Sequence, residues 1–120
     1  LEGAEKHLRT ALELKPSADL KLLVQTRLAR VLAAREQFPA ALALLDEAGT
    51  DDATAPLVAE IRGDILLQQG QRAAAAKAYA AADAALAARD EPRPVLDLKL
   101  ADVGLPPAKR ASDVAAGAQP

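Results

Sequence analysis

Few side chains in this sequence have the chemistry of a catalytic or metal site. The chain has one histidine, His7, and no cysteine. A single histidine without cysteine offers no set of zinc ligands, and His7 lies on the outer face of a helical pattern. No G-x-x-x-x-G-K-[ST], G-x-S-x-G or G-x-G-x-x-G motif occurs. We therefore expect no enzyme activity, no cofactor and no metal, with His7 as an ordinary surface residue.

A cluster of carboxylates surrounds one turn of the chain. Asp46, Glu47, Asp51 and Asp52 are its members. Their spacing does not match the loop of an EF-hand, so a weak calcium site is the lesser alternative. Capping of the following helix by Asp51 or Asp52 explains the cluster more simply.

The tripeptide Arg62-Gly63-Asp64 matches the sequence of adhesion ligands, which present it on exposed loops. Here it falls inside a helical pattern, "AEIRGDILLQQG". Glycine within a helix costs about 1 kcal/mol relative to alanine, so close approach of a second helix is the expected compensation. We predict that the tripeptide is helical and that Asp64 alone keeps a functional role.

Composition and charge narrow the classes of partner. The net charge is −2 and aromatic residues make up 2% of the chain. No basic patch is interleaved with aromatic residues, which makes nucleic acid an unsuitable partner. No run of 18 apolar residues occurs that could cross a membrane. Because the chain begins at Leu1 within a helical pattern, we expect a fragment, whose parent could still carry a membrane anchor.

Hydrophobic periodicity and helix-ending residues predict an all-α chain. Pro16, Gly49 and Gly70 end three of the predicted helices, and Ser17 or Asp19 can cap the second helix. The predicted helices are 2–15, 19–35, 38–48, 55–69, 72–89 and 93–103. The helical region forms one domain, 1–104, followed by a flexible tail, 105–120.

The central helices repeat with a period of 34 residues. Residues 22–55 align with 56–89, and each unit is a helix, a tight turn and a second helix. A 34-residue helix–turn–helix period is the signature of tetratricopeptide repeats. The aligned pairs are Ala29 with Gly63, Leu32 with Leu66, Glu36 with Gly70, Ala41 with Ala75, Leu45 with Tyr79 and Ala48 with Ala82.

The two ends of the chain complete the predicted stack. Helix 2–15 matches the second helix of a repeat whose first helix is absent, so its apolar positions are expected to favour dimers of the fragment. Helix 93–103 is predicted to cap the last repeat, with Asp97, Lys99 and Asp102 on its solvated side. The fold class is therefore a tetratricopeptide-like stack of a half repeat, two full repeats and a capping helix.

The first helices of such repeats line a groove, which we call the groove face. We predict that it binds an extended or helical peptide, although Arg30 and Asp64, equivalent residues one repeat apart, could instead simply pair with each other. Arg30 is the one clear arginine at a position expected to point into the groove, whereas a carboxylate clamp needs several cations, so capture of a peptide C-terminus is not expected. The groove face consists of Leu23, Thr26, Arg27, Arg30, Ala33, Ala34, Leu57, Glu60, Asp64, Leu67 and Gln68.

The order of three segments resembles one family in particular. The segments are "RLARVLAAREQFPAALALLDEA", "AEIRGDILLQQGQRAAAAKAYAAA" and "VLDLKLADV". They are similar to the periplasmic part of the YfgM-type ancillary subunits of the SecYEG translocon. The resemblance covers about residues 20–104.

This resemblance implies a function that the periodicity alone does not give. It implies an inner-membrane anchor outside this chain, repeats that face the bacterial periplasm, and partners among translocon subunits, a periplasmic chaperone or an emerging polypeptide. The alternative is a tetratricopeptide scaffold fragment from a larger cytoplasmic protein with unrelated partners.

Overall fold

A computed structural model of the chain describes residues 1–48, 51–89, 91 and 93–105. The described part is helical, with short turns between the helices, and every predicted helix is confirmed to within two residues at either end. The predicted tail beyond Leu105 lies outside the described residues. The helices are α1 (Glu2–Glu13), α2 (Ala18–Ala34), α3 (Phe38–Glu47), α4 (Ala55–Gln68), α5 (Arg72–Ala88) and α6 (Pro94–Asp102).

Local sequence signals start these helices. The Ser17 hydroxyl accepts a hydrogen bond from the Leu20 amide and so caps α2, as predicted. Pro39, Pro56 and Pro94 lie in the first turns of α3, α4 and α6. Proline suits the first turn because its fixed φ is already helical and no amide partner is needed there.

The 34-residue period is confirmed by the turns as well as by the helices. Glu36 (φ 61°) and Gly70 (φ 84°) both adopt left-handed backbone conformations. The amide that follows each of them closes the turn: Gln37 donates to the Leu32 carbonyl at 2.8 Å, and Gln71 donates to the Leu66 carbonyl at 2.8 Å. Glycine adopts this conformation without strain, so the second turn has the better residue.

A third turn of the same kind follows after another 34 residues. Gly104 has φ 78°, and the Leu105 amide donates to the Leu100 carbonyl at 2.9 Å. Helix α6 therefore ends as α2 and α4 do. This continuation of the period beyond the two full repeats was missed in the sequence.

The buried residues form two successive clusters along the stack. The first cluster joins α2, α3 and α4, and the second joins α5 to α6, with Leu66 of α4 packed against it. Burying one leucine-sized side chain stabilises the fold by about 1.5–3 kcal/mol. The predicted capping role of α6 follows from Leu96 and Leu100, which are buried against Ala75, Tyr79, Ala82 and Leu86.

Helix α1 is attached more lightly than the others. None of its residues is buried, and Leu8 and Leu12 pack only partly against the first cluster. One ion pair supports it: Arg35, at the end of α2, approaches Glu5 at 2.7 Å. That arginine and Arg9 hold the pKa of the Glu5 carboxyl below its usual value, Arg9 making the larger contribution by a hydrogen bond.

Candidate protein-binding groove

Three alternating charges connect α2, α4 and α6, and we call them the charge ladder. Arg30 Nη2 lies 3.2 Å from Asp64 Oδ2, and Lys99 Nζ lies 3.0 Å from the same oxygen. The predicted pairing of Arg30 with Asp64 is therefore confirmed. The ladder runs across the groove face, because its first two members are equivalent residues of successive first helices.

Lys99 joins the ladder from outside the 34-residue register. The residue of α6 that is equivalent to Arg30 and Asp64 is Leu98, which is 69% exposed. Its neighbour Lys99 approaches Asp64 instead. The prediction that Lys99 lies on the solvated side of α6 is wrong, since its ammonium points to two carboxylates of α4.

Glu60 is the second of those carboxylates. Its side chain is buried, and it receives Lys99 Nζ at 3.0 Å and a contact from Arg93 just before α6. A buried carboxylate needs such compensation, because an unpaired one is strongly destabilising. Glu60 was predicted to belong to the groove that binds a partner protein, and in the structure it is buried there and pairs with two cations of the chain.

Tyr79 holds Asp64 from the opposite side. The Tyr79 hydroxyl donates to Asp64 Oδ1 at 2.7 Å. Burial, together with the negative charge of Asp64, raises the pKa of the Tyr79 phenol well above its ordinary value. The phenol therefore stays protonated and keeps donating, which fixes the position of the central carboxylate of the ladder.

Gly63 makes room for the Tyr79 ring. A Cβ atom at Gly63 would come within 3.0 Å or less of three ring carbons of Tyr79. One repeat earlier the equivalent pair is Ala29 and Leu45, both buried. In the second repeat, tyrosine on α5 is larger than the equivalent leucine, and glycine on α4 is smaller than the equivalent alanine. The larger ring therefore explains the glycine.

A pocket of about 340 Å³ opens beside the ladder. Arg30 and Asp64 form its charged wall, Leu67 forms an apolar wall, and Gln68 contributes an amide that can both donate and accept. Tyr79 completes the lining. The pocket has the size and mixed lining of a site for one side chain of a bound peptide.

The remaining predicted groove residues divide by exposure. Leu23, Leu57 and Leu67 are exposed to 36–45% of their maximum. Ala33 and Thr26 are buried, and the Thr26 hydroxyl bonds to the Leu23 carbonyl at 3.0 Å. Exposed positions are Arg27, Ala34 and Gln68.

The three residues of the Arg-Gly-Asp tripeptide point to different neighbours inside α4. Arg62 Nη2 lies 2.6 Å from Asp46 Oδ1 on α3, Gly63 is buried against Tyr79, and Asp64 belongs to the charge ladder. No loop presents them together, as the sequence analysis predicted.

The acidic turn serves local structure, but not as the predicted cap of α4, whose N-cap residue is Thr54 and which has no side-chain cap. Asp51 Oδ1 accepts from the Thr54 amide at 2.9 Å and from the Thr54 hydroxyl at 2.8 Å, just before α4. These hydrogen bonds, the one from the hydroxyl first, lower the pKa of the Asp51 carboxyl. Within the described ranges, no group of three His, Asp or Glu side chains is arranged to hold a metal ion. His7 is exposed on α1.

Two cations of the site were missed in the sequence, Arg93 and Lys99. Their signal was indirect: α6 has to cover the last repeat, and Glu60 and Asp64 on the neighbouring first helix needed partners. Tyr79 was recognised as a packing residue but not as a hydrogen-bond donor to the groove.

Comparison with known proteins places these observations in a family. A family model described as "Tetratricopeptide repeat-like domain" matches residues 1–105. No curated protein and no solved structure matches the chain. None of the helices in the described part of the chain has the length and apolar character needed to cross a membrane.

Proposed function

This chain belongs to the tetratricopeptide repeat-like domain family, and we propose that it is a non-enzymatic module that binds a segment of a partner protein on its groove face. Domains of this fold are typically scaffolds for protein–protein interaction. We propose no catalytic role, because the titratable groups that converge at the groove, Glu60, Asp64 and Tyr79, are engaged with one another and with cations of the chain.

One observation carries the proposal: Leu23, Leu57 and Leu67 are exposed on the same face as the charge ladder. Leu23 and Leu57 are equivalent residues of α2 and α4, so the face is apolar in both repeats. Exposed leucines grouped beside polar residues are typical of interaction surfaces. The ladder fixes the two helices relative to each other and so keeps these leucines in place.

For the identity of the partner, we propose a role like that of the YfgM-type ancillary translocon subunits. The chain would then face the bacterial periplasm at the inner membrane and contact translocon subunits, a periplasmic chaperone or an emerging polypeptide. The order of the three resembling segments supports this proposal. A hydrophobic segment of about 20 residues upstream in the parent protein would support it further, whereas a long series of additional repeats there would contradict it.

Site-specific crosslinking tests the groove. A photoreactive amino acid at Leu67 of the full-length protein should crosslink to a partner in cells, and mass spectrometry of the product would identify it. The double substitution Leu23→Asp and Leu57→Asp should abolish the crosslink without lowering helicity, because it places charges on the apolar part of the face.

Leu14→Asp is the matched control, since Leu14 is 77% exposed at the end of α1 and lies away from the groove. It should leave the crosslink unchanged. If the groove variant still gave the crosslink in full, the groove face would not be the binding site.

A further inference from the structure

An exposed stripe on α2 combines apolar and basic side chains. Its members are spaced by three or four residues, so they share one side of the helix. All of them are exposed, and no carboxylate occurs among them. The α2 stripe consists of Leu20, Leu23, Arg27, Arg30 and Ala34.

Next to this stripe, the carboxylates of the groove lie deeper than the cations that neutralise them. The side chains of Glu60 and Asp64 are 5% and 19% exposed, whereas those of Arg30, Arg93 and Lys99 are 51%, 35% and 26% exposed. A partner that approaches from solvent therefore meets the cations first. Charge that is buried and paired contributes little to long-range attraction, whereas exposed charge steers association.

Arg27 adds to this positive rim. It is exposed one turn before Arg30, and no carboxylate in the described part of the chain pairs with it. Among the described residues, the rim then has four cations and two less exposed carboxylates, Glu60 and Asp64. The cations are Arg27, Arg30, Arg93 and Lys99. The whole chain has a net charge of −2, so the positive charge of this face belongs to one part of the surface and not to the protein as a whole.

Three exposed carboxylates flank these residues along the chain. Asp19 is in the first turn of α2, Glu91 is two residues before Arg93, and Asp102 is the last residue of α6. None of them is a member of the α2 stripe.

From this arrangement we propose that the groove face binds a protein segment that carries carboxylates interspersed with leucine-type side chains. The inference rests on the proposed function and names its partner class. Leucines of the segment pack on Leu20, Leu23 and Leu57, and its carboxylates pair with Arg27 and with the exposed edge of Arg30. The interaction involves internal side chains and requires no free C-terminus.

Three labelled peptides with amidated C-termini test the inference by fluorescence anisotropy. They share the same leucines and differ only at the charged positions, which are glutamate, glutamine or lysine. The glutamate peptide should bind tightest and the lysine peptide weakest. Raising the salt concentration should reduce this difference, because charges exposed to solvent are screened.

Variants locate the interaction. Arg27→Gln and Arg30→Gln should each weaken binding of the glutamate peptide by up to about fivefold, the upper range for an exposed ion pair, and should leave the glutamine peptide unaffected. Lys21→Gln, on another side of α2, is the matched control and should change neither affinity. Asp64 keeps Lys99 and Tyr79 in Arg30→Gln, so far-ultraviolet circular dichroism should remain that of the parent.

The outcomes separate this inference from the proposed function. If the three peptides bound with equal affinity, the proposed preference for carboxylates would be overturned. If the double variant Leu23→Asp, Leu57→Asp then lost binding of all three, the groove would still be a binding site. Failure of all three to bind would overturn the inference, whereas the proposed function is decided independently by the crosslink at Leu67.

Discussion

Gly63 and Tyr79 act as one unit that distinguishes the second repeat from the first. Because a Cβ at Gly63 would collide with the Tyr79 ring, we expect Gly63→Ala to lower the free energy of unfolding by up to about 2 kcal/mol. Overpacking costs about 1–3 kcal/mol, and the better helix propensity of alanine offsets about 1 kcal/mol. Urea unfolding followed by circular dichroism measures the change.

The equivalent pair of the first repeat, Ala29 and Leu45, suggests a second variant in which to test the same substitution. In Tyr79→Leu, the substitution Gly63→Ala recreates the combination of Ala29 with Leu45 and should become stabilising by up to about 1 kcal/mol. Gly3→Ala is the control, since open space surrounds Gly3 in α1. Equal effects of Gly63→Ala and Gly3→Ala in the parent chain would show that the ring does not restrict the glycine.

Tyr79 is also expected to make the free energy of unfolding depend on pH in the alkaline range. Its pKa is raised in the folded state, so its contribution to stability is complete below the unfolded pKa of about 10. Above that pH the unfolded chain loses its proton first, and stability should fall by up to about 1.4 kcal/mol per pH unit.

The measurement is direct because the chain has a single tyrosine. Phenolate absorbance of the folded protein should stay low at pH values where a free tyrosine is half ionised, and should rise when the protein unfolds. Tyr79→Phe should remove the part of the alkaline dependence that the phenol contributes. An ordinary titration midpoint in the folded protein would contradict the hydrogen bond to Asp64.

At the scale of elements, α6 is held by two leucines and by ion pairs to α4. Lys99→Met keeps the length of the side chain and removes both of its ion pairs. We expect a loss of about 1–2 kcal/mol, between the values for exposed and for buried pairs. Amides of α6 should exchange with deuterium faster, while those of α3 stay unchanged.

Lys77→Met, on the exposed side of α5, is the control for removing a surface ammonium. It should leave both stability and exchange of α6 close to those of the parent. If Lys99→Met behaved in the same way, the ladder would not hold α6 in place.

The elements themselves were predictable, whereas the side of α6 that carries Lys99 was not. Ser17, Pro39, Pro56 and Gly70 are local signals that start or end a helix, so the sequence predicted each boundary within two residues. The choice of the inward side of α6 depends on how Leu96 and Leu100 fit between α5 residues. That fit involves packing between distant residues, and it is the reason that Lys99 was assigned to the wrong side.

The site was predictable to a similar extent. Equivalent positions 34 residues apart brought Arg30 and Asp64 together, as the repeat requires. Burial of Glu60 could not be predicted from position in the repeat alone, because its partners Arg93 and Lys99 follow it by more than 30 residues.

For the whole molecule, stability should decrease toward the N-terminal helix. Helix α1 has no buried residue, whereas α4 contributes to the first cluster and packs against the second, and α5 supplies most of the second. Segments with few buried contacts open locally at low cost. Hydrogen exchange followed by mass spectrometry should therefore show α1 exchanging first and α4 and α5 last; equal protection of α1 and α4 would contradict this order.

The sign order of the charge ladder makes one side chain common to both of its links. Arg30 of α2 and Lys99 of α6 approach the same oxygen of Asp64, so the two links are not independent of each other. Without that carboxylate the ladder would consist of two cations, and the attraction between them through α4 would be replaced by repulsion. A neutral substitution of this one residue would therefore act on both helix junctions at once.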